Sequence, residues 1–371
     1  MFAWSVSPLW AAKQYNVLFI ISDDLTSTAL SCYGNTVCRT PNIDALAAKG
    51  TRFTRAYCQG TYCGPSRASF MSGYYPHATG VLGYKSPRPQ IGDRATWSQY
   101  FMNHGYHAAR VSKIYHMGVP GGIEQGGHGA DDAASWNERY NSPGPEWRAP
   151  GKGETLQGNP DGKRPVVGGN TFVVVEAEGD DLVHSDGKTA VKAAELIGKF
   201  ATQDKPFFLG VGFVRPHVPF VAPKKYNEPF LPYSKMKLPP KLKGDWEDIP
   251  KPGINYCTSL NMKMDIRKQK KAVGGYYASV AFVDAQVGKV MAALKASGQE
   301  DNTIVIFTSD HGFHLGEHDF WAKVSLLDES SQVPLIISVP GKQPAVCHSL
   351  TELLDLYPTL AALCGLSLIH I

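Results

Sequence analysis

Apolar and polar positions fall in repeated blocks along this chain. Val17-Leu18-Phe19-Ile20-Ile21 is an unbroken apolar run closed by Ser22-Asp23-Asp24. A continuous run of branched residues reads as a central strand buried on both faces. Pro206 to Val214, Thr303 to Thr308 and Val333 to Val339 repeat the form. They lead into Arg215-Pro216-His217, Ser309-Asp310-His311-Gly312 and Pro340-Gly341. Helical periodicity covers 42–49, behind a proline, and then 189–201, 272–297 and 350–364. Strands alternating with helices predict an α/β fold with a mainly parallel central sheet and helices on both faces. Ligands collect at the carboxyl ends of such strands, where the polar tripeptides fall.

Two stretches lack this rhythm. Residues 117–181 are dense in Gly and Pro, with periodicity only over 171–175, and 229–252 is Pro-rich. Long irregular segments in a compact domain are functional covers or mobile insertions. At 371 residues, 43% hydrophobic and 19% charged, the chain can bury a large core as one big α/β domain or two smaller ones. The net charge of +4 is small and interleaved, which argues against nucleic acid. Lys224, Lys225, Lys235, Lys237, Lys241 and Lys243 crowd one segment, either as a solvated loop or as an anion-attracting rim. No apolar run reaches the ~18 to 20 residues of a membrane span. The apolar stretch from Phe2 to Ala12 reads as the tail of a secretory signal, although a basic leading region is missing. Seven cysteines without a CxxC pair leave compartment and pairing open.

Adjacent Asp23 and Asp24 face opposite sides of an ideal strand, but at a strand's end both can converge on a cation. Read alone, either could instead cap the next helix. Asp310 and His311 at a second strand end change the balance, because three carboxylates and one imidazole suit calcium or magnesium better than structural zinc. A rival zinc cluster of His311, His314 and His318 with Glu317 fits no standard spacing. Cys32, Cys38, Cys58 and Cys63, with gaps of five, nineteen and four residues, fit even less well.

The most informative run is Cys63-Gly64-Pro65-Ser66-Arg67-Ala68-Ser69-Phe70-Met71-Ser72-Gly73. Pro65 suits a first helical turn, so Cys63 sits just ahead of a helix N-terminus, where partial positive charge favours an anion. The run resembles the sulfatase family signature C-x-P-S-R-x-x-x-[LM]-[TS]-G at every defined position. Gly105 to His116 is similar to the second signature of that family, within the alkaline phosphatase superfamily. It departs twice: Ser112 stands where Gly is usual, and two residues separate Lys113 from His116. That spacing, Arg215 to Phe220, and the stretch from Ser309 to Lys323 resemble the iduronate-2-sulfatase branch. The likeness runs from Asn16 to about Cys364 in the family's motif order.

The resemblance implies that Cys63 is oxidised by a formylglycine-generating enzyme to an aldehyde, which is hydrated to a gem-diol. It implies a metal set of Asp23, Asp24, Cys63, Asp310 and His311 holding Ca2+, with Mg2+ as the alternative. Asp310 would take a proton as one hydroxyl attacks sulfur, with Lys113, Lys323 and Arg67 supplying charge. His217 and Lys323 would serve the departing alcohol, and His116 would take the second hydroxyl's proton to expel sulfate. The implied substrate is a sulfated glycan of the uronate-2-sulfate kind, and the implied location periplasmic, secreted or lysosome-like. Residues 1–14 are expected to be a signal remnant, 15–365 the catalytic domain, and 366–371 a truncated or non-native tail. The smaller C-terminal subdomain of such enzymes is not in evidence in the sequence. Two rivals stand beside this: a phosphonate or phosphate monoester hydrolase on the same fold, and a truncated inactive fragment.

Overall fold

A computed structural model describes residues 14–158 and 171–367. Most of the expected signal remnant and the end of the expected tail lie outside the described residues. Along the chain run β1 (Asn16–Asp23), β2 (Thr51–Tyr57), β3 (His107–Ser112), β4 (Glu138–Tyr140), β5 (Gly151–Thr155), β6 (Val173–Ala177) and β7 (Phe207–Pro216). β8 (Phe220–Pro223), β9 (Thr303–Ser309), β10 (His314–Leu315), β11 (Trp321–Ala322), β12 (Gln332–Ser338), β13 (Ala345–Cys347) and β14 (Thr351–Glu352) follow.

The central sheet has the order β13-β2-β12-β9-β1-β7-β3-β4, with β14 also on β2. β9, β1, β7, β3 and β4 are mutually parallel. All eight residues of β1 are buried, as its unbroken apolar run requires. Leu18 and Ile20 face one core with Tyr276, Val280 and Leu196. Val17, Phe19 and Ile21 face the other with Phe70, Trp97 and Leu360. Each such side chain contributes ~1.5–3 kcal/mol relative to exposure. The helices Ser185–Phe200 and Ile266–Ala296 thus cover one face, and Cys63–Ser72, Trp97–Asn103 and Leu356–Leu363 the other.

Three expectations need correction. β12, the expected strand at 333–339, runs antiparallel to β9, so Pro340-Gly341 leaves at the end of the sheet away from the other polar tripeptides. The helix expected from Ala272 begins at Ile266, where Asp265 caps it by accepting from Lys268 N. The last helix covers only Leu356–Leu363 of the expected 350–364. Within 117–181 the described residues are also more regular than their composition implies. β6 pairs antiparallel with β5 and parallel with β8 to form a separate three-stranded sheet.

Candidate active site

Four neighbouring parallel strands deliver the predicted residues in spatial order β9, β1, β7, β3. Asp310 and His311 follow β9, Asp23 ends β1 with Asp24 just after it, His217 follows β7, and Lys113 follows β3. Cys63 is the first residue of the helix Cys63–Ser72, one position further in than its sequence suggests, and Gly73 at φ +77° closes that helix. A Cβ on Gly64 would lie 2.1 Å from the Gly83 carbonyl, so glycine there lets the 83–84 segment close against the helix.

The Cys63 Sγ lies 3.5 Å from Asp23 Oδ1, 3.8 Å from Asp24 Oδ1, 3.4 Å from His311 Nε2 and 3.6 Å from Lys323 Nζ. Arg67, one turn along the helix, gives Nε to Asp310 at 3.0 Å and an Nη to Asp23 at 2.8 Å. Its other Nη donates to the Lys113 and Ile114 carbonyls. Lys113 Nζ pairs with Asp23. Lys323 Nζ reaches both Asp24 oxygens at 2.7 Å. Asp24 N donates to Asp310 Oδ1 at 3.1 Å. All of these residues are buried.

Burial drives the Asp23 and Asp24 carboxyls up, but the nearby charges outweigh it and hold both well below the usual carboxylate range. Lys113 and Arg67 act chiefly on Asp23; His217, Lys323 and His311 act on Asp24. Burial and then Asp23 push the Cys63 thiol up. Burial lowers His217 to about 3; it lowers His116, with Lys113 adding to the effect, to about 2, so both are neutral near pH 7. His116 stacks on Tyr84 at 4.1 Å, and its Nδ1 has no partner among the described residues.

The donors fit a hard divalent cation. Donor atoms of Asp24, Cys63, Asp310 and His311 lie close together, and a second overlapping group joins Asp23, Asp24, Cys63 and His217. His311 Nε2 is 3.1 Å from Asp24 Oδ1 and 3.4 Å from Asp310 Oδ2, the spacing of neighbouring ligands around an ion bound at about 2.3–2.6 Å. His311 Nδ1 lies 2.8 Å from the Gly312 carbonyl, which fixes its proton there and leaves Nε2 for the ion. His217, expected only as an acid, stands in the same way with Nδ1 on the Val218 carbonyl and Nε2 3.8 Å from Asp24.

Neither zinc alternative assembles. His314 is buried with both ring nitrogens unpartnered, and His318 turns to Asp245. No candidate metal group among the described residues contains Cys32, Cys38 or Cys58. All seven cysteines are unpaired. In the basic segment, Lys225 pairs with Asp181 and Lys241 with Asp319, which takes two of its six charges.

Backbone strain gathers beside these groups. Asp24 (φ +63°), Ser112 (φ +61°), Ala322 (φ +64°) and Val324 (φ +71°) adopt left-handed conformations that non-glycine residues avoid. The φ of Ser112 accounts for the glycine usual at this place in the signature, because the position needs the conformation glycine adopts freely. Sequence reasoning missed Tyr84 and the Glu146 carboxylate that pairs with Arg215. Neither carries a periodic or motif signal.

Residues 15–366 match the family model for sulfatases. The chain belongs to the sulfatase family. Members of that family hydrolyse sulfate esters, and the chemistry of the strand ends is set within that frame. It is 34% identical to mouse iduronate 2-sulfatase, over 96% of this chain and 70% of that protein. It is 33% identical to a sulfatase of Formosa agariphila, over 95% of this chain and 69% of that one. Among solved structures, the phosphonate monoester hydrolase of Silicibacter pomeroyi superposes with a TM-score of 0.74 at 24% identity, covering 95% and 74% of the two chains. A 2-O GAG sulfatase gives 0.67 at 23%, covering 96% and 72%. These structural likenesses carry the alkaline phosphatase/sulfatase fold. Among the described residues no helix is long and apolar enough to cross a membrane.

Proposed function

We propose that the ester is a sulfated sugar of the uronate-2-sulfate kind, opened at a formylglycine made from Cys63 beside a calcium ion, with magnesium as the alternative. The observation that carries this is the balance around Cys63. Three carboxylates meet three cations there, so a divalent ion would leave the pocket net positive, as an anionic ester needs. The 33–34% identity to iduronate 2-sulfatases supports the sugar class. Formylglycine would supply a hydrated aldehyde oxygen as nucleophile, and the ion would polarise the sulfate oxygens.

The other groups are placed for binding and proton movement. Lys113 and Lys323 hold the ester's oxygens by charge. Asp310, steadied by Arg67, accepts a proton, and neutral His116 accepts another at its free Nδ1. Lys323 keeps its proton because Asp24 outweighs burial, and it donates a hydrogen bond to the departing alcohol with His217 beside it. A formylglycine-generating enzyme is the maturation partner. With the apolar stretch from Phe2 to Ala12 read as a secretory signal, we place the protein in an exported compartment, periplasmic, secreted or lysosome-like.

Cys63→Ala is expected to abolish sulfate release from a sugar-sulfate panel while the cooperative thermal transition is kept. Mass spectrometry of the wild-type Cys63 peptide, from a host able to oxidise it, should show the aldehyde. An unmodified but active enzyme would sink the formylglycine reading, and faster phosphonate than sulfate release would move the chain to the rival chemistry.

A further inference from the structure

A cavity of about 830 Å3 lies against the two segments that carry Cys63 and Lys323. Its walls are the 248–256 loop on one side and Val324 to Leu327 on the other, with Thr61 at the junction. Val324 N donates to the Thr61 carbonyl at 3.0 Å, and Asn255 Nδ2 donates to the Lys323 carbonyl at 2.9 Å. The cavity is therefore hydrogen-bonded directly to the backbone that places the nucleophile and the cation.

Most of the lining is apolar. Ile249, Pro250, Ile254, Tyr256, Val324 and Leu326 supply the walls, and among the described residues no lysine or arginine lines the cavity. Tyr256 is 72% exposed and Leu326 87% exposed, large apolar groups left open to solvent beside a polar centre. Asp245 and Asp248 also line the cavity, and His318, the imidazole among its described lining residues, is 3.1 Å from Asp245. A second sulfate or carboxylate in this space would meet carboxylates without a compensating cation. A flat, uncharged group would cover Tyr256 and Leu326 at little desolvation cost.

We infer that the cavity between the 248–256 loop and Val324–Leu327 binds the uncharged alcohol-side portion of the ester, an aglycone or neutral sugar next to the sulfated ring, and excludes an anionic neighbour there. Tyr256 and Leu326 set affinity, and Asp248 sets the charge discrimination. The inference rests on the sugar-sulfate reading for its first ring, but the cavity's preference is separately measurable.

The test uses the whole, matured chain with three 2-sulfated iduronides: the methyl glycoside, the 4-methylumbelliferyl glycoside, and a disaccharide whose second ring carries its own sulfate. A parallel measurement follows binding of unsulfated 4-methylumbelliferyl iduronide by fluorescence, which needs no turnover. The double variant Y256A/L326A should raise KM for the 4-methylumbelliferyl ester and the Kd of the unsulfated glycoside about tenfold. Its kcat, and its KM for the methyl glycoside, should not change. Asp248→Lys should improve kcat/KM for the doubly sulfated disaccharide about tenfold relative to the 4-methylumbelliferyl ester. Equal losses on both monosaccharide esters, no change in either, or fluorescent binding indifferent to Tyr256 would overturn the inference. Tyr256-dependent binding without sulfate release from any ester would leave it standing and instead defeat the proposed function.

Discussion

Two buried clusters of acid and base meet near the carboxyl end of β7, and they are balanced differently. Around Cys63, three carboxylates face the cations Arg67, Lys113 and Lys323. Beyond Arg215, two buried carboxylates stand near one guanidinium, which pairs with Glu146. Arg215 pairs with Glu146 and donates to the His217 carbonyl at 2.6 Å, while Asp186 accepts from Val214 N and Arg215 N at 2.8 Å. Burial is almost complete in both places. In the first cluster the cations win, and Asp23 and Asp24 stay ionised. In the second, burial wins over Arg215, pushing Glu146 up to about 7 and Asp186 upward. The number of matching cations, rather than depth, decides the charge state.

The largest expected effect tests the balanced cluster. Arg67→Ala takes the guanidinium from two buried carboxylates and frees two carbonyls, and should destabilise the fold by ~3–5 kcal/mol in urea denaturation. Arg67→Lys should recover little of this, because one ammonium cannot bridge Asp23, Asp310 and two carbonyls at once. A loss below about 1 kcal/mol for Arg67→Ala would break the comparison, since it would put this pairing in the class of surface ion pairs.

The unbalanced cluster should show itself through pH. The folded state holds the Glu146 proton more tightly than the unfolded chain does. Its contribution is therefore full below about 4.5 and is lost as pH rises through about 7. The loss across that window is on the order of 3 kcal/mol. Glu146→Gln mimics the protonated form and should flatten urea-derived stability between pH 4.5 and pH 7. An unchanged slope would mean that Arg215 keeps Glu146 charged, and the two clusters would then be alike. Because Arg215 also holds the His217 turn, the variant's kcat should vary less with pH than its parent's.

The first cluster was legible in the sequence and the second was not, for physical reasons. Buried parallel strands are uniformly apolar, so their ends announce themselves, and Asp23, Asp24, Asp310, His311 and His217 all sit at such ends. Cys63, Arg67 and Lys113 came through motif resemblance, since nothing periodic marks them. Glu146 lies in a Gly- and Pro-rich stretch, 69 residues from the arginine it pairs with, and pairing over that distance has no local signature. β5 (Gly-Lys-Gly-Glu-Thr) is held by β6 rather than by apolar pattern, so its sheet was invisible. The direction of β12 was hidden too, because an apolar run reads the same in both senses. β2 (Thr-Arg-Phe-Thr-Arg-Ala-Tyr) is mostly half-buried and lacks a clean alternation of apolar and polar residues, so no strand pattern marks it.

The smallest effect separates charge from strain inside the balanced cluster. Ser112 joins β3 to Lys113, is buried at φ +61°, and its hydroxyl has no partner among the described residues. Ser112→Gly removes both the left-handed penalty and the unpaired hydroxyl, each worth about 1 kcal/mol or more. Against this stands the extra freedom glycine gives the unfolded chain, about 0.4–1 kcal/mol. The sum is a stabilisation of roughly 1 kcal/mol, with kcat unchanged because the ion pairs of Lys113 are untouched. Ser112→Ala keeps the strain and removes only the hydroxyl, without glycine's cost in the unfolded chain, so it should recover about 1 kcal/mol as well in the same urea titration. If glycine destabilises while alanine stabilises, the left-handed turn carries no strain and the hydroxyl alone accounts for the site.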